Sequence, residues 1–220
     1  MARRRNVELP HSPDLPEILD PAPTELLPSA MWDGVEAGGD TSAAPWVTDV
    51  YLRDSRWLRA DLVGRRLSGL QCRDVEFRNC DLSGAVLADA DLTRVTFESC
   101  RTSGLVLSGA VLQDVNFVEC KSDGVDLRMA RLRRTAWQHS SMQNADFYRA
   151  ELTDVSLLDC ELAGAGFEQV KIDRVALGGS AVDGMRGVRS LAGARIDQGQ
   201  ALVLGALLVG ELGFEIGSSP

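Results

Sequence analysis

The chain has 220 residues, 45% apolar and 25% charged but only 5% aromatic, so it can bury one ordinary domain core provided that core is small-residue and aliphatic. A net charge of −9 argues against binding nucleic acid through a general basic field. No apolar run reaches membrane-spanning length, and Met1-Ala2-Arg3-Arg4-Arg5-Asn6 leads into prolines and acids, which reads as a cytoplasmic protein with five reduced cysteines and no membrane contact.

Residues 1–49 come first in the chain. Seven of the eight prolines lie between positions 10 and 45, and three basic against nine acidic residues leave this stretch at −6. Such a composition buries too little surface to offset the entropy of ordering, so 1–49 reads as a Pro-rich acidic arm. Within it Glu17-Ile18-Leu19, Glu25-Leu26-Leu27, Met31 and Trp32 are short apolar patches. They can drape over the open edge of whatever follows, or form a recognition segment for a partner.

From Val50 to Gly184 the chain divides without insertion into 27 pentads whose centres are nearly always apolar, running Leu52, Trp57, Leu62, Leu67 and onward to Val182. Cys72, Thr102 and Ser122 alone break the large-apolar rule. A small or β-branched residue usually sits two before each centre, as in Ala60, Cys80, Ala90 and Ala110. Neither the helical period of 3.6 nor the strand period of two fits such a pattern. A slower period orders the pentads: Trp57, Phe77, Phe97, Phe117 and Trp137 are twenty apart, as are Cys80, Cys100, Cys120, Ser140 and Cys160. Four pentads therefore make one turn of a four-sided coil, with residues twenty apart stacked at about 4.8 Å. The fold class expected is an all-β solenoid of about seven coils.

Two further columns agree with that geometry. Gly64, Gly84, Gly104, Gly124, Asn144, Gly164 and Gly184 mark a corner with positive φ. While aromatic residues fill the column from 57 to 137, the opposite column holds Leu67, Leu87, Leu107 and Leu127; beyond it Phe147 and Phe167 face Leu157 and Leu177. A close-packed bore with room for one ring per turn requires such an exchange. The structural core is thus expected at Phe77, Phe97, Phe117, Trp137, Phe147 and Phe167.

Ala60-Asp61-Leu62-Val63-Gly64, Ala90-Asp91-Leu92-Thr93-Arg94 and Ala145-Asp146-Phe147-Tyr148-Arg149 resemble the Ala-(Asp/Asn)-Leu-x-x unit of the pentapeptide-repeat family. The resemblance implies a right-handed quadrilateral β-helix. Some members of that family resemble duplex DNA in width and charge, occupy the DNA-binding saddle of DNA gyrase as homodimers, and protect it from quinolones.

In residues 185–220 the pentads stop near Arg186. Asp197 is placed to cap a helix running to about Glu211 and closed by Gly213. Its sequence from Gln200 to Gly210 is apolar nearly all round, so two faces need cover. One can lie on the last turn. The other implies a wholly intramolecular cap or, as the resemblance also implies, a homodimer through Leu202, Leu204, Leu207 and Leu208.

Catalysis has little support. His11 lies in the arm, His139 occupies an outward position, and no metal or cofactor is implied. The cysteine column projects in parallel instead of converging as zinc requires; it reads as a lining of small thiols, with adjacent disulfides as the alternative. One corner alternates Asp74, Arg94, Asp114, Arg134, Asp154, Arg174, an opposite-charge ladder that suffices as a solvated face. Arg128, Arg131, Arg133 and Arg134 form a basic cluster able to attract an anion.

The repeat region nets only −3, far from the one charge per about 1.7 Å of duplex DNA, so wholesale mimicry fails. Locally, Asp146, Glu151, Asp154, Asp159, Glu161 and Glu168 stand against Arg149 alone and form an acidic belt for a partner. The functional expectation is a non-catalytic scaffold or protein-binding module, with a DNA-mimicking modulator of DNA gyrase as the alternative and no direct nucleic-acid binding.

Overall fold

The computed structural model describes residues 6–214. The five-residue period becomes a coil because each apolar centre points inward while the residue two positions later turns the backbone through a left-handed corner. Tyr51–Leu58, Gln71–Arg78, Asp91–Glu98, Val111–Val118, Arg131–Gln138 and Glu151–Leu158 are eight-residue strands, followed by the shorter Lys171–Ala176. Each pairs in parallel with the strand twenty residues on, Phe77 with Phe97 and Phe97 with Phe117. The result is a parallel β-solenoid of about 8 turns with, among the described residues, a single α-helix at its C-terminal end.

The corners are more demanding than the glycine column suggests. Gly64, Gly84, Gly104, Gly124 and Gly164 have φ between 63° and 71°, and Asn144 takes the same turn at 56°. The other corners hold Asp, Arg, Asn, Ser, Glu, His and Met at positive φ, among them Asp74 (56°), Arg94 (51°) and Met129 (59°). Each such residue carries roughly 1 kcal/mol of backbone cost relative to glycine. Hydrogen bonds to the coil above and below hold them there: Asn79 N–H donates to the Glu98 carbonyl, Met129 N–H to the Tyr148 carbonyl, both at 2.9 Å.

Inside, Phe77, Phe97, Phe117 and Trp137 form one stack, with centroid separations of 4.9, 4.6 and 4.4 Å and planes within 7° of parallel. At Trp137 the stack changes sides. Phe147 meets Trp137 edge-on at 6.4 Å and 81°, and Phe167 then stacks on Phe147 at 4.6 Å. The two polar centres satisfy each other, the Thr102 and Ser122 hydroxyls lying 2.7 Å apart. All five cysteines are buried and free. Cys80, Cys100 and Cys120 donate to the carbonyls of Trp57, Phe77 and Phe97, which is the small-thiol lining and not a set of disulfides.

The coil begins well before the regular pentads, inside the segment read as an arm. Met31–Asp33 pairs with Tyr51–Arg53, Glu36–Ala37 with Arg56–Trp57, and Trp46–Thr48 with Arg66–Ser68, all twenty apart. Asp20–Pro21 and Glu25–Leu26 pair with residues only fifteen and seventeen further on, a tighter partial turn. Leu26, Trp32, Ala37, Ala43 and Val47 are buried. Trp32 stacks on Trp57 at 5.3 Å, above the place where Ala37 leaves the aromatic column empty. In the first apolar patch Ile18 is exposed and Leu19 half-buried.

At the other end Asp197 caps the helix α1, Gln198–Glu211, and with Gln200 completes a reciprocal capping box. Gln200 also donates to the Leu177 and Ser180 carbonyls, anchoring α1 to the last coil, while the Glu211 carboxylate accepts from Val188 and Arg189 N–H. Among the described residues no helix is long and apolar enough to cross a membrane.

Candidate interaction surfaces

The ladder corner is built as the sequence implied and covered in a way it did not. Each aspartate lies at the left-handed bend of its strand, and the arginine twenty residues on closes a two-pronged contact: Arg134 Nε and Nη2 reach Asp114 at 2.6 Å each, and Arg174 reaches Asp154 at 2.6 and 2.7 Å. Arg94 holds Asp74 in the same way. The aspartates are nevertheless buried, at 5%, 3% and 2% exposure for Asp74, Asp114 and Asp154. The cover is the N-terminal segment. Glu8 N–H donates to Asp154 at 3.1 Å, His11 N–H to Asp114 at 3.2 Å and Asp14 N–H to Asp74 at 3.1 Å. The His11 ring adds a contact to Asp114 at 2.8 Å.

Burial alone would raise the Asp74 and Asp114 carboxyls. The facing guanidinium and the N–H donors outweigh it and hold both below the ordinary carboxylate range. At Asp154 the Arg174 hydrogen bond dominates, and the carboxyl is likewise held low. The ladder is therefore a row of ion pairs whose carboxylates lie buried beneath the N-terminal segment. A solvated face does not describe it.

The acidic belt is not one surface. Asp154 belongs to the buried ladder, and Glu151 receives Lys171 Nζ at 2.8 Å. Glu168 faces Arg186 at 3.8 Å, Asp146 faces Arg128 at 3.8 Å, and Asp159 has His139 at 3.9 Å. Among the described residues, Glu161 is the member of the belt with no ion pair. The basic cluster is broken up in the same manner: Arg128 pairs with Asp126, Arg134 with Asp114, and Arg131 stands in register with Glu151.

The four helix leucines separate. Leu204 is buried on the last coil, Leu207 and Leu208 are half-buried against the core, and Leu202 is 81% exposed. Leu212 and Phe214 extend the exposed apolar surface beyond the helix. Val188, Leu191, Leu204, Leu208 and Leu212 line a groove of about 500 Å³ between α1 and the last coil. Among the described residues no group of three or more His, Cys, Asp or Glu side chains is gathered as a metal site. Cys160, pushed up to about 11 by burial, is a poor nucleophile.

A family model described as pentapeptide repeat region matches residues 90–167, and another, pentapeptide repeats (8 copies), matches 48–84 and 71–104. No curated protein matches the sequence. Among solved structures, trypsin-treated QnrB1, a plasmid-mediated fluoroquinolone resistance protein, is 16% identical with a TM-score of 0.37, covering 86% of this chain and 100% of that one. HetL, involved in heterocyst differentiation regulation in the cyanobacterium Nostoc sp. strain PCC 7120, is 21% identical with a TM-score of 0.28, covering 78% and 91%. With TM-scores this low, neither bears on what this chain binds.

Proposed function

The chain belongs to the pentapeptide-repeat family, and on that premise we propose that it is a non-catalytic protein-binding module that pairs with a second copy through α1. The supporting observation is the apolar end of the rod. From Gln198 to Gly210 the helix carries no charged residue, yet Leu202, Leu212 and Phe214 face solvent. A helix that is apolar on both faces needs a second cover, and an identical end supplies one by two-fold symmetry. The filled bore supports the non-catalytic part, since stacked rings leave no room for a substrate inside the coil.

A gyrase-directed role rests on the family resemblance. Ion pairing through most of the acidic belt leaves it with little local support, and a supercoiling assay separates the two readings. Pairing itself is tested by solution mass. The protein is expected to sediment as a dimer at micromolar concentration and Leu202→Glu as a folded monomer with unchanged circular dichroism. Leu204→Glu, buried on the last coil, is expected to loosen the cap as well. A monomeric wild-type chain would remove the proposal.

A further inference from the structure

Residues 6–16 run the length of the rod against the direction in which the coils stack. Asn6 accepts from Arg195 at 3.1 Å beside the C-terminal cap, and Glu8, His11 and Asp14 then reach Asp154, Asp114 and Asp74 in turn. Three residues of the segment pass two coils at each step. A polyproline II chain advances about 9.3 Å in three residues, and two coils at strand spacing rise about 9.6 Å. The two periods agree to a few tenths of an ångström, whereas an α-helix would cover about 4.5 Å in three residues.

The sequence of the segment has the same period. Pro10, Pro13 and Pro16 recur every third residue, each fixing φ near −65°. Val7, Pro10 and Pro13 are half-buried, while Glu8, His11 and Asp14, whose N–H groups face the ladder, keep their side chains largely exposed. The alternation of the ladder has the matching logic. An aspartate gripped by one arginine retains lone pairs for an outside donor, and an arginine accepts nothing. Acceptors therefore occur on every second coil, where a three-residue helix presents its donors.

We propose that the corner from Asp74 to Arg174 is a binding groove for polyproline II segments, and that residues 6–16 are its built-in occupant, exchangeable for a proline-rich segment of another chain with the same three-residue pattern. Recognition runs through backbone N–H groups, each making a charge-assisted hydrogen bond to a buried carboxylate, so a ligand needs spacing more than side-chain identity. Tethering gives the built-in segment an effective concentration of roughly millimolar, which keeps the groove closed to weak competitors. This is independent of pairing through α1.

The test uses the full chain carrying Glu8→Pro, His11→Pro and Asp14→Pro, which deletes the three donors and keeps a compatible φ. The probe is a fluorescent synthetic peptide of residues 6–17. Its anisotropy is expected to show saturable binding to the variant at least tenfold tighter than to the wild-type chain, and Asp114→Ala in the same variant is expected to abolish it. A peptide with the three prolines is expected not to bind. His11→Pro alone, a milder change, is expected to give intermediate affinity and covers the case in which the triple variant misfolds. Equal binding to variant and wild-type chains, or no binding to either variant, would overturn the proposal.

Discussion

Phe97→Ala is expected to lower the unfolding free energy by about 3–5 kcal/mol. Phe97 is fully buried, with Phe77 at 4.9 Å on one side and Phe117 at 4.6 Å on the other. Removing the ring forfeits both stacking contacts and leaves a void that the surroundings cannot fill. Parallel ladders fix the coils above and below at strand spacing, Thr96 paired with Glu76 and with Asn116, so the bore cannot contract. Leu107 across the bore is itself fully buried and already packed. Because each coil contacts only its neighbours, the loss should begin locally, with amides of residues 71–118 exchanging before those of 151–176. Urea unfolding followed by circular dichroism measures it, and a change under about 1 kcal/mol would mean that the bore is more compliant than its geometry implies.

Acid is expected to unfold the rod through the ladder. Asp74, Asp114 and Asp154 all have folded-state carboxyls held below the ordinary value. A group whose pKa is depressed on folding contributes stability that is complete above its unfolded pKa, about 3.9 for aspartate, and that disappears as pH falls through the folded value. The melting temperature should therefore be flat from about pH 7 to 5 and fall steeply below about pH 4. Asp114→Asn should cost about 1–3 kcal/mol at neutral pH, since Arg134 loses a charged acceptor, and should flatten the acid dependence in proportion. The Arg134 side chain is 12% exposed, which is why the figure is set below that for breaking a fully buried pair. An Asp114→Asn chain as stable as wild type at pH 7, with an unchanged acid limb, would contradict this account.

The coil was legible in the sequence because its physics is periodic. Phe77, Phe97 and Phe117 are twenty apart for the same reason that they stack, and even the change of side at Trp137 could be read from the exchange with Leu127, Phe147 and Leu157. The first coils were not legible because their frame slips. The buried centres Trp32, Ala37, Ala43 and Val47 are spaced five, six and four, with Gly38-Gly39 and Pro45 between them, so no strict period survives. The Asp/Arg alternation was visible, yet its meaning depended on a segment of chain about 60 to 150 residues away along the sequence. The proline spacing in residues 10–16 was the available signal. It could have been matched to the two-coil rise, since both lengths follow from backbone geometry alone. The charge partners of the acidic belt were not legible for the opposite reason: counting carboxylates along the chain ignored Lys171 and Arg174 stacked one coil away on Glu151 and Asp154.

Backbone amide exchange in the N-terminal segment reads the match between a three-residue helix and a two-coil repeat one residue at a time. Slowed exchange is expected at Glu8, His11 and Asp14, with Leu9, Ser12 and Leu15 exchanging faster, and loss of the protection at His11 in Asp114→Ala. Uniformly rapid exchange from residue 6 to residue 16 would contradict it.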